Sequence, residues 1–399
     1  MRLTVCAWRV TSLGQAAARI MTRIVTRIVT RVLRRSVLAL SASSALLAAT
    51  RLHAQRAASP PASGPAVVLI VTDGFRWQEI FSGADSARMG KSSGVADTAA
   101  LKRDFWRTTP DERRRAIWPF LWKQVSTQGV LWGNANAGAE AVVTNGKKFS
   151  YPGYNELLTG FPDSTINSND DPPNRNVTVF EWINRQRAYK GRVMAFGSWD
   201  AFRRIFNVER AGLPVHAAYD PLPADVTDAT LRRMYATMTR PWGQGMSFDA
   251  QMQALVVDEV KRHAPRALYV GFGETDEWAH DKRYDLYLRS ARGVDGFIEE
   301  LWNTMRAMPA YRDGVTFIVT TDHGRGDGEQ WTDHGRKVDG AERVWIATFG
   351  ARAQKFGELF NKLRVTQGQV AATVAAALGL EYAEAEPRAA RALPLKPKR

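Results

Sequence analysis

The sequence predicts an α/β protein, a three-layer α/β/α sandwich around a mostly parallel central sheet, and two observations predict it. Short continuous apolar runs, rich in β-branched residues, recur along the chain, and stretches with helical apolar spacing fall between them. The first run, Ala66 to Thr72 (AVVLIVT), has no polar alternation and reads as a strand covered on both faces. Gly129–Gly133, Arg192–Phe196, Ala267–Gly271, Val315–Thr320 and Val344–Phe349 read the same way. Helices are expected over Asp111–Thr127, Val177–Arg187, Phe248–His263, Arg283–Met308, Ala351–Leu363 and Thr366–Leu378. Residues 83–110 and 198–247 are long insertions rich in Trp, Arg and Tyr, suited to covering a pocket.

The formal charge of +15 suggests a nucleic-acid partner until its distribution is read. Nine arginines and no acidic residue lie in residues 1–54, so most of the excess belongs to the leader. The remainder is scattered, and no nucleic-acid binding is expected. Residues 1–54 read as a signal peptide. Arg31, Arg34 and Arg35 precede an apolar stretch, Ser36 to Thr50, and Leu52-His53-Ala54 offers a cleavage site. That stretch is short for a membrane span, so no stable span is expected after cleavage, and the mature chain is expected in the periplasm or secreted. Residues 55–64 read as a linker, 65–382 as the catalytic domain and 383–399 as a flexible tail. The only cysteine, Cys6, lies in the leader, which leaves no thiolate for a metal site or disulfide in the mature chain.

Several predicted strands end in residues able to bind a cation. Asp73 ends VVLIVTD, Asp276 follows ALYVGFGET, and Asp322 and His323 end VTFIVTTDH. Ligands of open α/β sheets sit beyond the carboxyl ends of strands, so three separate segments deliver these groups to one edge. Asp276 and His280 are four apart and share a helical face, and His334 follows in WTDHG. Taken singly, each has a simpler use: Asp73-Gly74 and Asp322-His323-Gly324 as turns, Asp276 and His280 as a helix cap and a surface imidazole. Together they form a carboxylate and imidazole set that suits Zn²⁺, with Mn²⁺ as the alternative. Ser150, in KKFSYPGYNELLTG, stands at the start of a predicted helix, where it is either a capping residue or a nucleophile facing an anion. Thr144 is a second, weaker nucleophile candidate. Lys147, Lys148 and Arg325 are either solvated or close enough to add positive charge to a substrate-binding site.

The ordered set TDGFRW, FSYPGYNELLTG, ETDEWAH, TDHGRG and WTDHG resembles the alkaline phosphatase superfamily, from about Pro65 to Leu380. That family includes nucleotide pyrophosphatase/phosphodiesterases, sulfatases and cofactor-independent phosphoglycerate mutases. The resemblance implies an alkaline phosphatase-like fold and two divalent metal ions. Asp73, Ser150, Asp322 and His323 would hold one ion, and Asp276, His280 and His334 the other, with Ser150 as covalent nucleophile. It also implies an asparagine on a phosphoryl oxygen, and either Asn167 or Asn169 falls in that region. The sulfatase pattern for formylglycine, Cys/Ser-x-Pro-x-Arg, is broken here because Tyr154 stands where the arginine belongs. No gap is long enough for the mutases' inserted domain. The implied activity is hydrolysis of a small-molecule phosphate ester, mono- or diester. Alternatives on the same scaffold are a sulfatase, a phosphonate hydrolase or a phosphotransferase/mutase.

Overall fold

Seven consecutive buried residues, Ala66–Thr72, form strand β1 at the centre of a large sheet. The structure, a computed structural model, describes residues 64–397. The leader, its cleavage point, Cys6 and all of the linker except Gly64 lie outside the described residues. In chain order the other strands are β2 (Gly129–Trp132), β3 (Ala139–Val142), β4 (Val193–Gly197), β5 (Val215–Ala217) and β6 (Ala267–Phe272). They are followed by β7 (Val315–Thr320), β8 (Arg343–Val344), β9 (Ile346–Gly350), β10 (Gly357–Glu358) and β11 (Leu363–Thr366). Eight of them make one sheet in the order β10-β2-β9-β7-β1-β6-β4-β5. Strands β7, β1, β6, β4 and β5 run parallel, and β9 runs against both of its neighbours. A smaller sheet, β11-β3-β8, stands beside it.

The period-2 alternation of β1 divides the core. Ala66, Val68 and Ile70 enter one apolar cluster, and Val67, Leu69 and Val71 the other. The main helices are α1 (Pro110–Ile117), α2 (Pro119–Gln128), α3 (Ser150–Thr159), α4 (Val179–Arg185), α5 (Asp249–His263), α6 (Glu274–His280), α7 (Tyr284–Ala307) and α8 (Gln369–Ala377). Helices α1, α2, α5 and α7 bury side chains in the first cluster, and α3, α4 and α8 in the second. The result is the expected three-layer sandwich. Among the described residues, no helix is long and apolar enough to cross a membrane.

Three expectations are corrected. The helix foreseen over Ala351–Leu363 is instead an irregular stretch carrying β10. Phe356, Phe360 and Leu363 are exposed, so the spacing of apolar residues marks no buried face there. Gly357 and Asn361 also take φ of 69° and 76°, values that break an α-helix. The stretch Asp111–Thr127 is two helices, because Pro119 has no N–H to continue α1 and starts α2 in its place. The C-terminal residues 383–397, expected to fray, pack: Leu393 is buried, its N–H donates to Thr373 Oγ1 at 2.8 Å, and the Ala390 N–H donates to the Gly160 carbonyl at 2.9 Å. In addition, the run Val344–Phe349 divides between two sheets, and β3 and β5 were too short to be read.

No side chain of the chain entering α2 caps it; Asp295, from α7, does so. Its two carboxylate oxygens accept from the Phe120 and Leu121 N–H groups at 2.9 and 2.8 Å. Burial pushes the carboxyl up to about 6 against these bonds. A folded-state value above the unfolded one means that the native protein binds more protons between pH 4 and 6, so this group's contribution to stability falls as pH rises through that window. The loss amounts to about 3 kcal/mol. Asp295→Asn is expected to flatten that fall, measured as urea-unfolding free energies at pH 4, 5, 6 and 7. Equal slopes in both proteins would contradict the assignment.

Candidate active site

Strands β6, β1 and β7 lie side by side, with Thr72 paired to Phe272 and Val71 to Thr320. Their carboxyl ends therefore deliver Asp73, α6 with Asp276 and His280, and Asp322-His323 to one edge of the sheet. Helix α3 brings Ser150 to the same place. Gly153, one turn into α3, makes this approach possible: a Cβ there would lie 2.5 Å from the Asp322 carbonyl oxygen. Gly74, at φ 57°, turns the chain beside Asp276, and a Cβ there would lie 2.6 Å from Asp276 Oδ1.

The first cluster converges on His323 Nε2. Asp73 Oδ1 lies 3.3 Å from it, Asp322 Oδ2 3.5 Å and Ser150 Oγ 3.4 Å. The outer atoms of these groups are occupied. Tyr154 OH donates to Asp73 Oδ2 at 2.9 Å, and the Gly74 N–H donates to Asp322 Oδ1 at 3.0 Å. His323 Nδ1 faces the Gly324 carbonyl at 2.9 Å and carries the proton there, which leaves a lone pair on Nε2. Asp73 Oδ1 and Asp322 Oδ2 are buried with no hydrogen-bond partner. Burial, then repulsion from neighbouring carboxylates, pushes Asp73 up to about 8 and Asp322 well above the usual range. Burial lowers His323 to about 4, so it is a neutral imidazole. Two orphaned carboxylate oxygens, an imidazole lone pair and a hydroxyl fit a divalent cation.

The second cluster joins Asp276, His280 and His334. His280 Nε2 lies 3.2 Å from Asp276 Oδ2 and 3.0 Å from His334 Nε2, and His334 Nε2 lies 3.8 Å from Asp276 Oδ1. Burial opposes charge on Asp276, but Arg325 and the two histidines hold it well below the carboxylate range. Burial drives His334 well down; on His280 the pairing with Asp276 outweighs burial and raises it. The clusters are neighbours, with His323 Nε2 3.9 Å from Asp276 Oδ1 and the His323 and His334 rings 4.1 Å apart. The seven residues named as metal ligands lie in two adjacent groups, Asp73, Ser150, Asp322 and His323 in one and Asp276, His280 and His334 in the other.

Other candidates fare differently. Asn169 lies beside the start of α3, its Oδ1 accepting from the Tyr151 N–H at 3.0 Å, whereas Asn167 is exposed and its N–H is held by Asp171. The Lys148 Nζ donates to the Val338 carbonyl at 2.8 Å and pairs with Glu342 at 3.2 Å. Thr144 is tied to Glu156 through its Oγ1 at 2.7 Å. Buried Glu156 also receives the N–H groups of Thr144 and Asn145, so it moors the loop leading to Ser150. Arg325 is buried rather than solvated. It bonds the Gly74 carbonyl at 3.1 Å, the Asp276 carbonyl at 3.1 Å and the Asp276 carboxylate, fastening the two clusters to each other. Tyr154, Glu156 and this role of Arg325 were not foreseen. Their one signal was position, each within a few residues of a predicted ligand or of Ser150.

Residues 237–382 match the family Metalloenzyme, described as the Metalloenzyme superfamily. That segment holds Asp276, His280, Asp322, His323 and His334, with Asp73 and Ser150 preceding it. No curated protein matches the chain in sequence. Among solved structures it is similar to Ps i-CgsB in complex with k-i-k-neocarrahexaose, at 16% identity over 82% of this chain and 75% of that one, with a TM-score of 0.50. It is also similar to the phosphonate monoester hydrolase of Agrobacterium radiobacter (13%, 79% and 74%, TM-score 0.48). A third is a protein in the alkaline phosphatase superfamily from Vibrio parahaemolyticus (11%, 81% and 68%, TM-score 0.42). The segment 237–382 thus matches the Metalloenzyme superfamily, and the sheet with its ordered motifs is similar to the alkaline phosphatase-like fold.

Proposed function

We propose that the chain is an exported hydrolase of phosphate esters, with Ser150 as covalent nucleophile at a site for two divalent cations, Zn²⁺ or Mn²⁺. The observation that carries this reading is the meeting of Ser150 Oγ, His323 Nε2 and the two orphaned oxygens of Asp73 and Asp322. Asp73, Ser150, Asp322 and His323 would hold one cation, and Asp276, His280 and His334 the other. Bound there, divalent cations supply Lewis-acid charge and lower the pKa of a hydroxyl or a water. Ser150 Oγ attacks phosphorus, a serine O–P bond forms, and the ester O–P bond breaks to release the alcohol. Water then cleaves the phosphoserine and restores the hydroxyl. The amino terminus of α3 presents its dipole to the phosphoryl oxygens. Tyr154 supports the phosphate-ester reading over a formylglycine sulfatase, because in place of the arginine of the formylglycine pattern it orients Asp73.

Asn169 is proposed as the amide that holds a phosphoryl oxygen. The Tyr151 N–H fixes its Oδ1, which leaves Nδ2 as the free donor. Asn169→Ala is expected to lower kcat/KM by about 10²-fold, and Asn167→Ala to leave it unchanged. The reverse pattern would reassign the contact. The activity itself is tested on the metal-stripped protein reloaded with Zn²⁺ or Mn²⁺, using monoesters, diesters and sulfate esters of one chromophore. Turnover of phosphate esters is the expected result, and turnover of sulfate esters alone would overturn the reading.

A further inference from the structure

The insertion at residues 83–110 walls a cavity of about 450 Å³, on which Arg76, Asp85, Arg88, Trp106, Arg113 and Asp327 converge. This is room for a small ligand. Arg76 and Arg88 are only 2% and 7% exposed. Arg76 Nη1 and Arg88 Nε are buried with no hydrogen-bond partner, and no other residue of the lining carries an orphaned side-chain atom. Both are donors, so what is missing is an acceptor. The nearby carboxylates face the same two arginines, Asp327 Oδ1 lying 3.7 Å from Arg76 Nη2, but none of them accepts from Arg76 Nη1 or Arg88 Nε. Asp85 pairs with Arg88 and accepts the Ala87 N–H, and Asp327 accepts from Gln78. Glu79, outside the lining, accepts from Tyr284 OH with Oε1 at 3.1 Å, and its Oε2, 3.4 Å from Arg76 Nε, is buried with no hydrogen-bond partner of its own. Burial, and after it the neighbouring charge of Arg76, lowers the pKa of Arg88, the strain that an anion between two guanidinium groups relieves. Arg113 lies over the Trp106 ring at 4.7 Å, pairing a cation with a flat apolar face.

We propose that this cavity is a second anion site, taking a small molecule that bears a carboxylate, phosphate or sulfate, with Arg76 and Arg88 as its charged partners. Its walls continue the segments of the catalytic site: Arg76 follows Asp73 by three residues, and Asp327 follows His323 by four. The anion is therefore either a second charged group of the substrate or a separate small ligand.

Calorimetric titration of inorganic sulfate into the metal-loaded full chain tests the site without relying on turnover. Arg88→Gln and, in case that variant fails to fold, the conservative Arg88→Lys are expected to weaken one sulfate-binding event by about tenfold or more. Thermal melting checks that each variant is folded. Kinetics with an aryl phosphate, with and without a ring carboxylate, separates the two sources. A KM raised only for the carboxylated ester assigns the site to the substrate, and KM values unchanged for both, with sulfate binding lost, assign it to a separate ligand. Sulfate binding identical in the wild type and in the folded variants overturns the proposal. Absence of turnover in every protein would count against the hydrolase reading and leave the calorimetric result standing.

Discussion

Ser150→Ala is expected to lower turnover of an aryl phosphate by about three orders of magnitude or more while both metal clusters stay loaded. The hydroxyl is nearly buried and lies 3.4 Å from His323 Nε2. Thr144, the nearest alternative in sequence, is bound to Glu156. The variant keeps Asp73, Asp322 and His323 around the first cation and does not touch the second cluster. Metal content should therefore persist while the chemical step is lost. A transition-state contribution of this size appears in kcat, and rapid acid quenching with a labelled substrate should detect phosphoserine in the wild type only. Unchanged turnover in Ser150→Ala would remove the residue from the reaction.

The second large effect concerns Asp322, and its two parts have opposite signs. In Asp322→Asn the amide oxygen can still accept from the Gly74 N–H, while an NH₂ group replaces Oδ2 and faces Asp73. The variant should lose one equivalent of metal and most of its activity. In the metal-free state it should be more stable than wild type, by about 1–3 kcal/mol, because two buried carboxyls no longer face each other. Removing metal from the wild type should conversely lower its melting temperature. Metal analysis after dialysis and melting curves with and without chelator measure both parts. Two retained equivalents in Asp322→Asn, or a metal-free variant less stable than metal-free wild type, would show that Asp73 and Asp322 do not form a cation site.

The central strands and the acidic and histidine residues of the two clusters were legible because the sequence constrains them locally. A strand covered on both faces must be apolar throughout, and a polar residue at its end is conspicuous, as at Asp73 and Asp322-His323. The i, i+4 spacing of Asp276 and His280 carries the same kind of signal. What was not legible depends on partners far away in the chain. Asp295 caps a helix some 175 positions away, and Arg325 joins Gly74 to Asp276. Lys148 lies two residues before Ser150, but its pairing with distant Glu342 could not be read from the sequence. The apolar residues of 351–363 follow a helical period, yet nothing packs over Phe356 and Phe360. Periodicity announces a face; only the tertiary structure says whether that face is covered.

Gly153 sets a rule for altering this site. The reactive side chain can be exchanged, since a cysteine or threonine at position 150 changes only what hangs from the helix. The spacing between that helix and the Asp322 strand end admits no such freedom, because any methyl group at position 153 collides with main chain. Variant libraries should therefore tolerate many nucleophiles at position 150 and reject alanine at 153.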